Sequence, residues 1–368
     1  MLWQWRLPTN IFFGADAVKS NYQAMRKLGQ KALLVIGQGG SARRNGALND
    51  VCQALQKSSL EWDLFDQVEA NPSINTVRKG AQIASMGNCD FVIGIGGGSP
   101  LDAAKAIAVL AVNDISDAKL FSQEYTSALP VVAVPTTAGT GSEVTPASII
   151  TYPQAETKLT VSSPLIIPRL AFLDPAYTME LPRTITIDTA VDAFAHALEG
   201  YLAQRSNPLT DMAAGAALAQ LGPKLAQLAD GQTLSRADRE VLLYASLLAG
   251  VVISHTGTSI PHAMGYSLTY FKGLPHGRAT GMLLPAFMDF NLSHSNDPKL
   301  KEALNRSGFY SIDKLRSVLH RLLGQAPACS REEKEKYVNI CMSQKARSIA
   351  NNLVAANAND LLNMMNSI

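Results

Sequence analysis

Two residues spaced four apart, Asp192 and His196 in the segment IDTAVDAFAHALEGYL, set the first chemical expectation. On a helix, positions i and i+4 share a face about one turn apart, so a carboxylate and an imidazole can reach one ion. Two more histidines follow, His262 in IPHAMGY and His276 in LPHGRA. One carboxylate and three imidazoles suit Fe(II) or Zn(II) with a coordination position left for another ligand. Spacing alone leaves a second account standing: an Asp/His pair hydrogen-bonded at a surface, and a histidine satisfied inside a core. His255, His294 and His320 are weaker candidates, the last two because their segments are polar and the first because a structural role suits it better.

A glycine-rich turn carries a different chemistry. In segment 93–105, IGIGGGSPLDAAK, an apolar strand runs into three glycines, and a helix is expected to open at Pro100. Proline lacks an N–H that the start of a helix leaves unbonded in any case. Residues without a Cβ let backbone N–H groups approach a diphosphate, and the helix N-terminus adds a favourable dipole. The pattern is neither G-x-G-x-x-G nor a Walker motif. A tight strand-to-helix turn is the plainer reading; phosphate binding is favoured because the glycines stand at a strand's carboxyl end. The loop PTTAGTGSEVT (135–145) follows another strand and offers hydroxyls to a cofactor's amide or phosphates.

These side chains need elements to hold them. Through the first half, β-branched runs over 31–37, 60–66, 90–96, 130–135 and 171–175 alternate with helical patterns over 47–57, 74–86 and 100–112. Such alternation predicts a doubly wound parallel sheet, a Rossmann-like α/β domain. Near LPRTITIDTA (181–190) the character changes, and helical patterns cover 188–204, 211–228, 236–253, 312–323 and 331–352 with no convincing strand. The expectation is an α/β dinucleotide-binding domain over residues 1–180 and an all-α, metal-binding domain over 181–368, with ligands in the cleft between them.

Composition bounds the partners. Apolar types make up 47% of the 368 residues, enough for buried cores. Charged types reach only 17%, which points to surface covered in a homodimer or larger homo-oligomer. Lys plus Arg number 32 against 30 Asp plus Glu, a net charge of +2 that argues against nucleic-acid or membrane-surface binding. The longest apolar stretch, 241–253, falls short of the ~18 residues a membrane span needs. The opening MLWQWRLPTN lacks the layout of a signal peptide. Cys52, Cys89, Cys329 and Cys341 are scattered, so neither a zinc knuckle nor a disulfide framework is implied. A soluble cytoplasmic protein is the resulting expectation.

Four segments together carry a resemblance: GGGSPLDAAKAIA (96–108), PTTAGTGSEVT (135–145), TIDTAVDAFAHALEGYL (186–202) and PHGRATGMLLP (275–285). They resemble the iron-containing (group III) alcohol dehydrogenases, relatives of glycerol dehydrogenase and dehydroquinate synthase, over residues 5–290, with a poorer match beyond. The resemblance implies a divalent metal on Asp192, His196, His262 and His276. It also implies a dinucleotide whose diphosphate is held by Gly97, Gly98 and Ser99. Thr136, Thr137, Thr140 and Ser142 would border the nicotinamide, Lys158 would lie near the cofactor, and Asn71 toward the adenosine. The family's activity is hydride transfer between an alcohol and an aldehyde or ketone, with the metal as Lewis acid; in this chain His276 would stand at the chemistry, and a proton would come from metal-bound water, the ribose hydroxyl or Tyr266.

The chain departs from its relatives twice. Many of them carry a histidine four residues after the third ligand, where this chain has Tyr266. A phenol with a pKa of about 10 is a poorer proton relay at neutral pH unless perturbed. The loop after the first strand, Gly37-Gln38-Gly39-Gly40-Ser41-Ala42-Arg43-Arg44, holds no carboxylate for an adenosine 2′-hydroxyl. It resembles the loop of NADP-preferring members, in which Gly39, Gly40, Ser41 and a nearby arginine would hold a 2′-phosphate. NADP(H) is therefore expected over NAD(H), and NADPH-dependent reduction of a small aldehyde over oxidation of an alcohol. Two alternatives stand beside it. A dehydroquinate-synthase-like cyclase would need cations at the metal, for which only Lys272 and Arg278 offer, and the other is a hydroxyacid-oxoacid transhydrogenase.

Overall fold

A computed structural model describes the chain from Trp3 to Ile368. It divides into two compact units: Arg6–Leu181 is one, and Pro182–Ile368 with the N-terminal stretch through Trp5 is the other. The first unit contains β1 Asn10–Phe13, β2 Lys31–Gly37, β3 Glu61–Val68, β4 Phe91–Gly96, β5 Val131–Pro135, β6 Ala147–Tyr152, β7 Thr157–Ser162 and β8 Leu170–Leu173. Six of these form one parallel sheet in the order β1-β8-β5-β4-β2-β3, and β6 pairs with β7 as an antiparallel hairpin.

The central strands read as unbroken apolar runs because both faces are covered. Leu34 and Ile36 of β2 join Ile93, Ile95, Val132 and Val134 in one core. Their neighbours Leu33 and Val35 turn the other way, toward Val92 and Val131. The helices α1 Ala47–Lys57, α2 Ile74–Met86 and α3 Gly98–Leu110 cover these faces. The first two match their expected limits. α3 begins two residues before Pro100, with Gly97 as its N-cap, so the proline sits two positions deeper in the first turn, where its missing N–H is equally harmless. β1 and the β6–β7 hairpin were not anticipated. β1 is too short to display a period, and the hairpin is only half-buried along much of its length.

The second unit is helical, with no strand among its described residues. Its helices are α4 Arg183–Tyr201, α5 Pro208–Ala229, α6 Arg236–Thr256, α7 Ile260–Lys272 and α8 His276–His294, followed by α9 Pro298–Arg306, α10 Ile312–Leu323, α11 Arg331–Gln344, α12 Ala346–Ile349 and α13 Ala358–Asn366. Asn207, Ser235, Ser330 and Asn357 start their helices with reciprocal capping boxes. The pattern expected to be one helix over 331–352 breaks at Lys345 (φ −124°). α7 and α8 were missed because buried residues surround them on most sides, which erases the one-faced period. α6 and α7 meet at 106°, and no single helix is long and apolar enough to cross a membrane. The Trp5 indole stacks on the ring of His255 at 4.0 Å, joining the N-terminal stretch to this unit.

Candidate metal centre and nucleotide loops

α4 presents Asp192, His196 and Glu199 at i, i+4 and i+7, one buried face of one helix. His262 and His276 come from the first turns of α7 and α8, whose starts are marked by Pro261 and Pro275. α8 can approach α4 because residue 277 is glycine. A Cβ there would stand 2.8 Å from Asp192 Cβ and nearer still to the Asp188 carbonyl oxygen. One turn later Gly281 permits the same closeness against Val191.

One donor atom each from Asp192, His196 and His262 lies within 4.8 Å of the others, and all three side chains are buried. Asp192 Oδ1 is 3.5 Å from His262 Nε2 and 3.9 Å from His276 Nε2. The His196 and His262 rings stack at 4.5 Å, and His276 meets His262 edge-on at 5.2 Å. Asp192 Oδ1 and His262 Nε2 are buried and hydrogen-bond to nothing. Burying such a group unsatisfied costs roughly 1–3 kcal/mol. Donors around a tetrahedral ion with bonds of ~2.1 Å lie about 3.4 Å apart, close to the Asp192–His262 spacing. These residues therefore fit a divalent metal such as iron or zinc.

Electrostatics agree with the geometry. Burial favours a neutral His262, yet the carboxylates of Glu199 and Asp192 push it up to about 10. Burial also works against the Asp192 carboxylate, but His196, His276 and His262 hold it well below the usual carboxylate range. Two buried carboxylates thus demand a positive charge among these rings.

Glu199 was not singled out from the sequence, although it lies inside the same segment. It is wholly buried, its Oε1 is 2.5 Å from His262 Nδ1, and its Oε2 accepts from Ser259 N (2.6 Å) and Ser259 Oγ (3.2 Å). The signal was its spacing on the Asp192 face. Tyr266 lies beside the cluster, its ring parallel to that of His276 at 5.3 Å. Lys345 Nζ sits 4.5 Å from the Tyr266 ring centre, and burial lowers its pKa to about 8. His255 is held in place by Trp5 and the Val251 carbonyl (2.8 Å), while His294 and His320 are exposed. Arg278 is engaged by Asp188 (3.0 Å) and the Leu323 carbonyl (2.7 Å), and Lys272 by Glu333 (2.7 Å). Both cations that a phosphate-bearing cyclase substrate would call on are thus already committed.

In the sheet unit, β2 leads to β3 on one side while β4 leads to β5 on the other. The carboxyl ends of β2 and β4 therefore flank the topological switch point, where open α/β sheets bind ligands. Gly97 and Gly98 lie there, packed on the threonine loop. A Cβ on Gly97 would meet Thr137 Cγ2 at 3.1 Å, and one on Gly98 would meet Thr140 Cγ2 at 2.7 Å. Thr136 is buried, with its N–H bonded to the Gly96 carbonyl at 2.8 Å. Ser99 Oγ accepts from the backbone N–H of Asn71 (3.1 Å), whose φ is +59°. Asn71 Oδ1 in turn accepts from Lys158 Nζ (2.6 Å), so Ser99, Asn71 and Lys158 come together.

Ser142 faces inward. Its hydroxyl donates to Asp102 Oδ1 (2.6 Å) and accepts from Lys105 Nζ (2.9 Å). Lys105, also missed from the sequence, is wholly buried and further donates to Thr145 O (2.9 Å), Thr145 Oγ1 (3.1 Å) and Ala147 O (2.8 Å). Burial lowers its pKa to about 8 and raises that of neighbouring Glu143 to about 7. Gly39, Gly40 (φ +70°) and Ser41 follow β2, and Ser41 begins a single helical turn through Arg44. Arg44 donates to the Gly39 carbonyl (2.8 Å), and Arg43 pairs with Asp66 of β3 (3.0 Å), an acid the loop sequence did not reveal.

Comparison with known proteins matches residues 8–175 to the family model for iron-containing alcohol dehydrogenase and residues 186–366 to its C-terminal counterpart. The match thus runs well past residue 290, where the sequence resemblance had thinned. A 1,3-propanediol dehydrogenase of Citrobacter freundii is 33% identical over 333 residues, 87% of this chain and 84% of the relative. An NADPH-dependent butanol dehydrogenase of Clostridium saccharobutylicum is 34% identical over 292 residues, 77% of this chain and 73% of the relative. Among solved structures, an iron-containing alcohol dehydrogenase of Thermotoga maritima superposes with a TM-score of 0.92 at 38% identity, covering 100% of this chain and 99% of its own.

Proposed function

The chain belongs to the iron-containing alcohol dehydrogenase family of oxidoreductases, and from that premise we propose that it works as an NADPH-dependent reductase of a small aldehyde. The observation that carries the reading is the facing pair of buried atoms without hydrogen bonds, Asp192 Oδ1 and His262 Nε2, with His196 and His276 beside them. We assign these four residues as ligands of Fe(II) or Zn(II). When bound, the ion supplies Lewis acidity toward the substrate oxygen and the nicotinamide supplies the hydride.

The chain's own residues supply position and protons. Asp192 neutralises part of the ion's charge, and Glu199 holds the His262 ring in place. Tyr266, its ring held flat along His276, donates the proton to the substrate oxygen from its Oη. In the sheet unit, backbone N–H groups of Gly97, Gly98 and Ser99 at the start of α3 bind the diphosphate. Thr136, Thr137 and Thr140 border the nicotinamide; Ser142 keeps that loop in place through Lys105 and Asp102. Asn71 and Lys158 complete the rim. Gly39, Gly40 and Ser41 hold the 2′-phosphate, with Arg43 exchanging Asp66 for it. The NADPH-dependent butanol relative supports this cofactor choice. A homodimer or larger assembly in the cytoplasm accompanies the reading, supported by the low charge content.

The test is oxidation of NADPH and NADH with a panel of aldehydes. It uses protein as isolated, stripped by chelator, and reloaded anaerobically with Fe(II) or Zn(II). Turnover with NADPH that is lost on stripping and regained with metal is the expected result. No turnover with any aldehyde, despite bound metal and nucleotide, refutes the proposal.

A further inference from the structure

We propose that Glu199 is a positioning residue that fixes His262 as an Nε2 donor by holding its Nδ1–H. This rests on the assignment of Asp192, His196, His262 and His276 as metal ligands. A carboxylate has only acceptors. One oxygen of Glu199 is taken by the backbone N–H and hydroxyl of Ser259, at 2.6 and 3.2 Å. The other, 2.5 Å from His262 Nδ1, must accept as well, so Nδ1 carries the proton. With a cation between His262 and Asp192 supplying the positive charge, the ring is neutral and its Nε2 lone pair faces that cation beside Asp192 Oδ1, 3.5 Å from Nε2. α4 thereby contributes two ligands directly, Asp192 and His196, and aims a third on a different helix through Glu199.

Glu199→Gln tests this because it keeps the shape and changes only what one end can do. The Ser259 N–H can only donate, so it claims the amide oxygen and sends the amide NH2 to His262 Nδ1. That nitrogen must then accept, the ring proton moves to Nε2, and Nε2 cannot ligate. The opposite amide orientation sets two donors against each other at Ser259, so neither arrangement reproduces the native one.

The experiment is zinc affinity by chelator competition, with NADPH binding as a check on folding, together with 15N NMR of zinc-loaded protein labelled at histidine. Glu199→Gln is expected to weaken zinc roughly 10–100-fold, the usual effect of removing a ligand's hydrogen-bond partner, and to leave NADPH affinity unchanged. Ser259→Ala, which keeps the backbone N–H, is expected to change zinc affinity by less than about threefold. In the wild type, His262 should bind zinc through Nε2 with a protected Nδ1–H. Zinc affinity of Glu199→Gln within about twofold of wild type overturns the proposal. So does ligation of zinc through His262 Nδ1, which the wild-type spectrum reveals even if the variant does not fold. A wild type that takes up no zinc or iron overturns the ligand assignment instead, and this inference falls with it.

Discussion

Replacing Gly277 by alanine should separate helix packing from metal chemistry. The added methyl would stand 2.8 Å from Asp192 Cβ and closer to the Asp188 carbonyl oxygen, which is rigid backbone. Ordinary carbon–carbon contact begins near ~3.5 Å, so α8 must retreat from α4 by at least about 0.7 Å. Overpacking of this kind costs roughly 1–3 kcal/mol. His276 is the residue next to 277, and it travels with the backbone. Metal–ligand distances tolerate only about ±0.2 Å, so the retreat exceeds that tolerance about threefold. Differential scanning calorimetry should show a lower Tm, and chelator competition should show zinc affinity reduced by about tenfold or more. Gly281→Ala is the control. Its methyl meets side chains rather than backbone, Leu323 Cδ1 at 2.9 Å and Val191 Cγ1 closer still, and lies five residues along the helix from His276. It should lower Tm without a comparable loss of zinc. A Gly277→Ala protein with unchanged Tm and zinc affinity would refute the account of how these helices deliver their ligands.

Two further outcomes follow from the buried charges of the sheet unit. Lys105→Met strips Ser142, Thr145 and Ala147 of their shared donor and leaves the buried Asp102 without the nearby cation that offsets it; removing one partner of a buried charge pair costs about 3–5 kcal/mol, so thermal denaturation should fall by roughly 6–20 °C, and a change near zero would mean the network is dispensable. Glu143 has its folded pKa raised by burial from 4.5 to about 7, so it contributes stability below pH 4.5 that is lost as pH rises through 7. Urea unfolding should show Glu143→Gln gaining on wild type between pH 5 and 8 by on the order of 1–3 kcal/mol, and a pH-independent difference would contradict this.

The chemistry was legible where spacing within one element carried it. Asp192 and His196 announce a shared helix face, and three glycines after an apolar strand announce a strand-to-helix turn. What escaped depends on contacts between distant segments. Nothing local says that Glu199 aims a histidine on α7 rather than meeting water, or that Lys105 ends inside a ring of acceptors from β6 and its preceding loop. Arg43 and Asp66 become neighbours only once β2 and β3 lie in register. α7 and α8 hid because burial on most sides removes the polar stripe that periodicity needs. Nothing local to Gly277 shows its purpose, which is the approach of two helices.

The stacking of Trp5 on His255 also sets a clock. The two rings are separated by roughly 250 residues, and every strand of the sheet lies on the chain between them. A ribosome adds about 5–20 residues per second, so His255 is made some 10–50 s after Trp5. All of Arg6–Leu181 exists by then and can fold as a unit. The indole waits through that interval without its partner, an apolar ring on a nascent chain whose middle has already been made. Trp5 is thus made early and finds its place late.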